Sequence, residues 1–217
     1  MTGSRLPLLC CSLAAAVLGA PGRADDLPSP DAMWLGSRIV PRALVDGFRG
    51  GIVREAIERA SGGAASASPG ARARAGAALS PLLDQAFPEE LLAGVAAQFL
   101  ARNYDADELR TLRAREESPL GRKLRDFYGR AAALPADDPG ARERERLARA
   151  TFTAAEQRQI DEFTASPLGR KGDELALALA GFFLDALERR WAEVRQDLEP
   201  RLAAAAQRAL AEPSPAK

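Results

Sequence analysis

The chain has 217 residues, of which 47% are hydrophobic and 28% are charged, a length and composition that suit one modest domain with an apolar core. Basic and acidic residues balance at 30 each, so no net field attracts the protein to nucleic acid or to an anionic membrane. Histidine is absent, which removes the commonest metal ligand and the usual carrier of protons near neutral pH. We therefore expect no metal, no other cofactor and no nucleic-acid partner.

Residues 1–24 are typical of a bacterial export signal. An apolar run (LPLLCCSLAAAVLGA) follows Arg5, and small residues precede a predicted cleavage after Ala24. The run is too short for a comfortable membrane span, and no later segment is long and apolar enough to form one. Both cysteines, Cys10 and Cys11, lie inside this signal, so the mature chain would contain no thiol and no disulfide. These features predict a periplasmic or secreted protein without a transmembrane segment.

Residues 25–60 form a predicted N-terminal helical segment. Apolar residues recur at helical spacing from Trp34 to Ile57, and Pro41 predicts a break into two helices because proline removes a backbone donor. Residues 61–79 are rich in Gly, Ala, Ser and Arg, which predicts a flexible linker or a poorly formed helix.

A helical domain is predicted over residues 80–210, followed by a disordered tail at 211–217. Ser80-Pro81 and Pro88-Glu89-Glu90 are typical helix starts, since serine caps, proline fits the first turn and acids favour the N-terminus. The strongest helical pattern spans Asp173–Glu199. Its apolar face consists of Leu175, Leu179, Phe183, Leu187, Trp191, Val194 and Leu198. This stripe predicts a core face, with a dimer seam as the alternative.

The hexamer SPLGRK occurs twice, at Ser118–Lys123 and at Ser166–Lys171, 48 positions apart. The similarity extends upstream without a gap and defines two tandem units, 104–128 and 152–176. No segment has the alternating β-branched pattern of a strand, and alanine and arginine dominate. The predicted fold is an all-α bundle of about six to eight helices that contains two similar helix–corner–helix units.

Each unit contains two predicted helix starts. Asp105 with Glu108, and Thr153 with Glu156, have the spacing of a capping box, in which the cap oxygen accepts a backbone N–H and the glutamate accepts the N–H of the cap. The Ser-Pro pair then ends that helix and starts the next. The following glycine lacks a Cβ, so a neighbouring helix can approach closely. The corner residues are Ser118, Pro119, Gly121, Ser166, Pro167 and Gly169.

The two units resemble a bacterial family of exported proteins known as domain of unknown function 2059. The matching stretches are YDADELRTLRAREESPLGRK (104–123) and FTAAEQRQIDEFTASPLGRK (152–171), with the family's aromatic, its Thr-x-x-Glu-Leu-like helix start and its Ser-Pro-x-Gly-(Arg/Lys)-Lys. The resemblance covers residues 82–174 and the export signal, and it implies an exported helical protein without an established activity. The family places an aromatic before Ser-Pro. Phe163 fits that pattern, whereas Arg115 departs from it, which predicts a first corner that packs less tightly or faces water.

The basic pairs of the hexamers, Arg122-Lys123 and Arg170-Lys171, are candidate anion- or partner-binding residues. Lysine occurs only three times in the chain, and two of the three occupy these equivalent places. Cations near a helix N-terminus gain nothing from the helix dipole, so their presence needs a reason. They could present positive charge to a phosphate or to a partner's carboxylate. The simpler interpretation is local pairing of each arginine with the acid four positions later, Asp126 or Glu174.

No motif in the chain predicts catalysis, because phosphate-binding glycine loops, nucleophile elbows and zinc spacings are absent. The acid pairs at 116–117 and 137–138 are expected to be solvated charge. We therefore expect an exported, non-catalytic module that binds another envelope protein, with homo-oligomerisation left open. One alternative is a membrane-surface protein that uses the 175–198 stripe, although the polar side of that helix is mixed rather than basic. A third possibility is an enzyme that uses carboxylates.

Overall fold

The computed structural model describes residues 28–62, 68–132 and 138–212. Helices make up 91% of these residues and no strand occurs among them, which confirms the predicted all-α fold. The described ranges contain nine helices, more than the pattern predicted, partly because the proposed linker is largely helical. The predicted export signal, with both cysteines, lies outside the described residues, as does most of the predicted tail.

Pro41 separates the first two helices, as predicted. Helix α1 spans Pro30–Ile39 and begins at Ser29, whose Oγ accepts a hydrogen bond from the backbone N–H of Ala32. Helix α2 spans Arg42–Ala60 and begins directly after the proline. The N-terminal helical segment is therefore confirmed as two consecutive helices.

The prediction of a linker over residues 61–79 is wrong for most of its length, because α3 spans Pro69–Ala86. Ser68 caps this helix by accepting the backbone N–H of Ala71. Buried residues recur at every fourth position, namely Ala71, Ala75, Leu79 and Leu83. Small apolar side chains therefore form a packed helical face even where large ones are few.

Pro81 lies inside α3, so the predicted helix start at Ser80-Pro81 and the domain boundary placed there are wrong. A proline at this position cannot donate to the carbonyl of Ala77, one turn earlier. Ala77 and Pro81 are both exposed, so water can hydrogen-bond to that carbonyl instead. Ser80 does not cap a new helix; its Oγ donates to the carbonyl of Gly76 at 3.2 Å.

Helix α4 spans Glu89–Asn103, starts after Pro88 as predicted, and packs closely against α1. A Cβ at Gly36 of α1 would lie 2.6 Å from the carbonyl oxygen of Ala93 in α4. The two backbones therefore touch at this point, and only glycine fits there.

The tandem units occupy the second half of the chain. Their helices are α5 (Ala106–Glu117), α6 (Pro119–Ala132), α7 (Asp138–Thr151), α8 (Ala154–Ala165) and α9 (Pro167–Ala211). The first unit contains α5 and α6, the second begins with α8 and α9, and α7 connects them. Helix α9 has 45 residues, so the second unit does not end at 176 but continues through the predicted helix over 173–199.

Two hydrophobic clusters hold the helices together. The larger cluster joins α2, α3, α4 and α9 and includes Leu79 and Phe183. The smaller cluster joins α1, α4 and α5 and includes Leu35 and Leu109. Helix α4 contributes to both clusters, so it connects the first helix of the tandem units to the rest of the bundle.

The predicted apolar stripe of α9 is a core face. Phe183, Leu187 and Leu198 are buried in the larger cluster, and three further stripe residues pack against it. Leu177 lies off the stripe and is 61% exposed. Six of the seven stripe residues are therefore packed within the chain, whereas Leu175 belongs to neither cluster.

We expect Phe183→Ala to lower the free energy of unfolding by about 3–5 kcal/mol, because this side chain is fully buried in the larger cluster. Leu177→Ala, in the same helix, should change it by less than about 0.5 kcal/mol, since the side chain is mostly exposed. Urea unfolding followed by far-UV circular dichroism would measure both values. Equal losses from the two variants would contradict the placement of the stripe in the core.

Candidate functional site

Both predicted capping boxes are present in the structure. The Asp105 Oδ1 accepts the backbone N–H of Glu108 at 2.8 Å, and the Glu108 carboxylate accepts the N–H of Asp105 at 2.9 Å. The Thr153 Oγ1 accepts the N–H of Glu156 at 3.2 Å, and the Glu156 carboxylate accepts the N–H of Thr153 at 2.8 Å. Each glutamate is therefore fixed at the start of its helix.

The first corner uses a single serine to end α5 and to begin α6. The Ser118 Oγ donates to the carbonyl of Arg115 at 2.6 Å and accepts the N–H of Gly121 at 2.9 Å. Pro119 is the first residue of α6, where its missing N–H leaves no helical carbonyl unpaired. The chain therefore turns sharply between two helices without a loop.

The second corner repeats this bonding between α8 and α9. The Ser166 Oγ donates to the carbonyl of Phe163 at 2.6 Å and accepts the N–H of Gly169 at 3.1 Å. Pro167 is the first residue of α9. The six corner residues thus form two equivalent turns.

The glycine of each corner allows a close contact that a side chain would block. A Cβ at Gly121 would collide with the carbonyl oxygen of Arg115, and a Cβ at Gly169 would collide with that of Phe163. The predicted neighbouring helix is therefore the last turn of the preceding helix in the same unit. Both glycines are buried there.

The lysine of each hexamer forms an ion pair with the capping-box glutamate of the other unit, and we call these two contacts the crossed pairs. The Lys123 Nζ lies 2.8 Å from both carboxylate oxygens of Glu156. The Lys171 Nζ lies 2.8 and 2.6 Å from the two oxygens of Glu108. Each ammonium group thus bonds both oxygens of one carboxylate, which is a stronger arrangement than a single contact.

Each lysine of the crossed pairs also lies near the aromatic ring that precedes the capping box of the opposite unit. The Lys171 Nζ is 4.8 Å from the centre of the Tyr104 ring. The Lys123 Nζ is 5.7 Å from the centre of the Phe152 ring. Cations at such distances are attracted to an aromatic face. Ring and carboxylate together therefore hold each lysine at the other unit's helix start.

The crossed pairs relate the two units by an approximate two-fold axis. Glu108 and Glu156 are equivalent positions of the repeat, and so are Lys123 and Lys171. The contact of Lys123 with Glu156 is thus matched by the contact of the equivalent residues Lys171 and Glu108, as in the interface of a two-fold dimer.

Arg115 and Phe163 are equivalent residues that touch each other, so they lie at this axis. The Arg115 Cζ is 3.3 Å from the centre of the Phe163 ring, a cation stacked directly on an aromatic face. Arg115 is only partly exposed. Arg115 therefore forms a contact between the units, where the sequence predicted a first corner that packs less tightly or faces water.

Arg122 and Arg170 donate to backbone carbonyls at the end of the preceding helix. The Arg122 Nη1 bonds the carbonyl of Glu117, and the Arg170 Nη1 bonds the carbonyl of Ala165 at 2.8 Å. A cation is favourable at a helix C-terminus, where carbonyls lack helical partners. Both arginines thus stabilise the helix end that precedes them.

The predicted ion pairs Arg122–Asp126 and Arg170–Glu174 are wrong, since neither occurs among the residues that the structure describes. The guanidinium groups turn back to the preceding helix instead of forward along their own. All four basic residues of the hexamers therefore have internal partners. Their binding of an anion or a partner stays a prediction.

An open groove of about 450 Å³ runs along the axis where the two units meet. Arg115 with Phe163, and Thr111 with Gln159, are equivalent pairs of the repeat, and all four line it. The remaining lining residues are Ser118, Pro119, Leu120 and Glu156. The first corner, one capping-box glutamate and the axis residues therefore converge on one groove.

Arg115 is the cationic residue of the groove lining. Burial lowers the pKa of its guanidinium, and Glu116 partly opposes that shift, but an arginine stays charged at neutral pH. Its Nη1 is buried and has no hydrogen-bond partner among the described residues. Glu116 pairs with Arg125 at 2.9 Å, so the adjacent acid is already engaged. A buried donor without a partner is unfavourable, which makes Arg115 the exceptional residue of this site.

Glu156 is the acidic residue of the groove lining. Hydrogen bonds from the Lys123 ammonium and from the backbone N–H of Thr153 lower the pKa of Glu156 from 4.5 to about 2. The carboxylate is therefore ionised at neutral pH, and the lysine offsets its charge.

Within the described residues, no group of three or more acids, histidines or cysteines could hold a metal ion. None of the helices in those ranges combines the length and the apolar composition that a membrane span requires. No protein-family model matches the chain, and neither a curated protein nor a solved structure matches it significantly.

Sequence patterns missed the partners of the two lysines and the groove residues Thr111, Gln159 and Glu156. The signal that could have found the crossed pairs is the repeat itself. A scarce cation and a glutamate recur in both units at the same spacing, and tandem units that each carry one cation and one anion can pair them reciprocally. The groove forms only where these contacts bring the two units together, so no pattern in the sequence indicates it.

We expect Gly121→Ala, and equally Gly169→Ala, to lower the free energy of unfolding by about 1–3 kcal/mol, because the added Cβ overlaps a backbone carbonyl. Gly129→Ala is the matched control in α6, where a Cβ meets nothing within 4 Å. That variant should gain about 0.5–1 kcal/mol, since alanine favours a helix over glycine. Urea unfolding would measure the three values, and a stabilised Gly121→Ala variant would contradict the tight corner.

The Glu156 pKa predicts a specific loss of stability in acid. The folded-state pKa lies below the unfolded value, so this carboxylate stabilises the fold fully above pH 4.5 and progressively less as the pH falls to about 2. Glu156→Gln should therefore be less stable than the wild type at neutral pH and should lose less stability on acidification. Urea unfolding at about pH 6 and about pH 3 would measure the difference.

Glu162→Gln provides the control for this experiment, because Glu162 is an exposed glutamate of the same helix. Its acid response should match that of the wild type. If Glu156→Gln and Glu162→Gln respond identically, the crossed pair does not stabilise the folded chain.

Proposed function

We propose that this chain is an exported, periplasmic or secreted module that binds another envelope protein without catalysing a reaction. The groove on the axis of the two units is its binding surface. The observation that carries this proposal is Arg115, a partly buried cation that lines an open groove and whose guanidinium forms no ion pair or hydrogen bond in the described part of the chain.

The crossed pairs support the proposal because they fix the groove before any partner arrives. Lys123 holds Glu156 in the groove wall, and Lys171 holds the start of α5, which carries Thr111 and Arg115. A preformed site loses less conformational freedom on binding than a flexible one.

Arg122 and Arg170 are the remaining candidate contacts for an acidic partner. Both side chains are exposed, although each also caps the preceding helix. Lys123 and Lys171 act differently, since their ammonium groups are engaged in the crossed pairs. We therefore assign partner contacts to the arginines and a structural role to the lysines.

Export and family membership are part of the same proposal. The segment 1–24 has the pattern of an export signal, and the tandem motif resembles domain of unknown function 2059, whose members are exported. Cleavage near Ala24 would give a mature chain without cysteine.

The membrane-surface alternative has less support, because Phe183, Leu187 and Leu198 of the required stripe are buried within the chain. Sedimentation with anionic phospholipid vesicles would test it, and co-sedimentation of the folded protein would favour it. The enzymatic alternative would gain support from hydrolytic turnover that a single carboxylate substitution abolishes.

Site-specific cross-linking tests the proposed binding surface. A photo-reactive amino acid placed at Gln159, which is exposed on the groove lining, should capture one discrete protein in the envelope of cells that express the full chain. Denaturing gel electrophoresis and mass spectrometry would detect and identify the adduct.

Gln207 provides the matched control, since it is an exposed glutamine of α9 that does not line the groove. The same photo-reactive residue at this position should not give that adduct. Absence of an adduct from position 159, or the same adducts from both positions, would overturn the groove as the binding surface.

A further inference from the structure

The Arg115 side chain lacks the anionic partner that its position requires. Its guanidinium stacks on the Phe163 ring, which orders the plane of the group. The Nη1 is enclosed by the chain, whereas Nε and Nη2 are not enclosed and form no hydrogen bond among the described residues, so they are the donors that a ligand in the groove can reach. The adjacent acid Glu116 is engaged with Arg125, and the groove acid Glu156 is engaged with Lys123. A planar guanidinium ordered in this way matches a carboxylate, which can accept two parallel hydrogen bonds.

The groove limits the charge of the group that Arg115 can receive. Glu156 lines the same groove as a carboxylate, and its charge is balanced by Lys123 alone. A doubly charged phosphate or sulfate would add repulsion that no further lining cation offsets. A single carboxylate therefore fits better than a dianion.

The other walls of the groove indicate what is attached to that carboxylate. Pro119, Leu120 and Phe163 present apolar surface. The amide of Gln159 can donate to a peptide group or accept from it, whereas the hydroxyls of Thr111 and Ser118 already donate to the carbonyls of Asp107 and Arg115 and can only accept. The groove is open rather than enclosed, although pockets for small molecules bury most of their ligand. An open groove suits the end of a longer chain whose remainder stays outside.

We infer that this groove binds the C-terminal carboxylate of a partner polypeptide that ends in an apolar residue, with Arg115 as the carboxylate-binding residue. The inference rests on the proposed function and names the part of the partner that the groove accepts. The terminal carboxylate accepts hydrogen bonds from the guanidinium, and the last side chain packs on the apolar wall.

Titration with short peptides tests this inference. The probes are N-acetylated tripeptides that end in alanine, valine, leucine or phenylalanine, each as a free acid and as a C-terminal amide. Backbone NMR shifts of Leu120 and Gly121, with those of the Gln159 side chain, would report binding to the purified chain. At least one free acid should bind about tenfold or more tightly than its amide.

Three variants assign the effect to Arg115. Arg115→Leu should weaken binding of the free acid by about tenfold or more. Arg110→Leu, an exposed arginine on the same helix, should leave it unchanged. Thr111→Glu should abolish binding of the free acid without unfolding the chain. A glutamate four residues before Arg115 can pair with the guanidinium in place of the peptide carboxylate. Thermal melts of all three would confirm that they fold.

Several outcomes would overturn the inference. If the free acids and the amides bind with equal affinity, the groove does not recognise the carboxylate. This inference then fails, while the proposed binding module stands. Tighter binding of octanoate or of inorganic phosphate than of every peptide acid would identify a small anion instead of a chain end. If no probe shifts the groove resonances but cross-linking from position 159 captures a protein, only the ligand class fails. If neither occurs, both proposals fail.

Discussion

The two crossed pairs fix the relative positions of the four helices α5, α6, α8 and α9. Each crossed pair connects the second helix of one unit to the first turn of the other unit's first helix, at a glutamate that its own capping box already immobilises. Exposed ion pairs usually contribute little, because two flexible side chains must be ordered for one contact. Here one partner is ordered in advance, both carboxylate oxygens are bonded, and an aromatic ring lies beside each lysine. The contact of Arg115 with Phe163 and the groove along the axis both follow from this geometry.

The hydrophobic clusters attach the paired units to the rest of the molecule at two places. Leu109 of α5 lies in the smaller cluster with α1 and α4. The later part of α9 lies in the larger cluster with α2, α3 and α4. Ion pairs and aromatic contacts thus set the geometry between the units, and apolar packing sets their place on the bundle. Loss of a crossed pair should consequently disturb the groove more than it disturbs the core.

The features that could be predicted from the sequence are those whose partners are close in the chain. The capping boxes join residues three positions apart, and each corner serine bonds residues three before and three after it, so a local pattern describes them fully. Pro41 likewise breaks a helix locally. The wrong predictions concern features that depend on contacts between residues far apart in the chain. Ala75 becomes a core residue only because α3 packs against α2 and α9. Pro81 is tolerated because its side of α3 is exposed, and the lysines pair with glutamates 33 and 63 positions away. The role of Arg115 could not be predicted without the axis that brings it to Phe163.

The contact between Arg115 and Phe163 could not exist in a dimer of two identical units. Such a dimer brings the same residue to its axis from both sides, so an arginine would face an arginine and a phenylalanine would face a phenylalanine. Two copies joined in one polypeptide are free to diverge at that position, and here one copy carries the charge while the other carries the ring. The difference between the two units at this one position therefore gives the groove a charged side and an aromatic side.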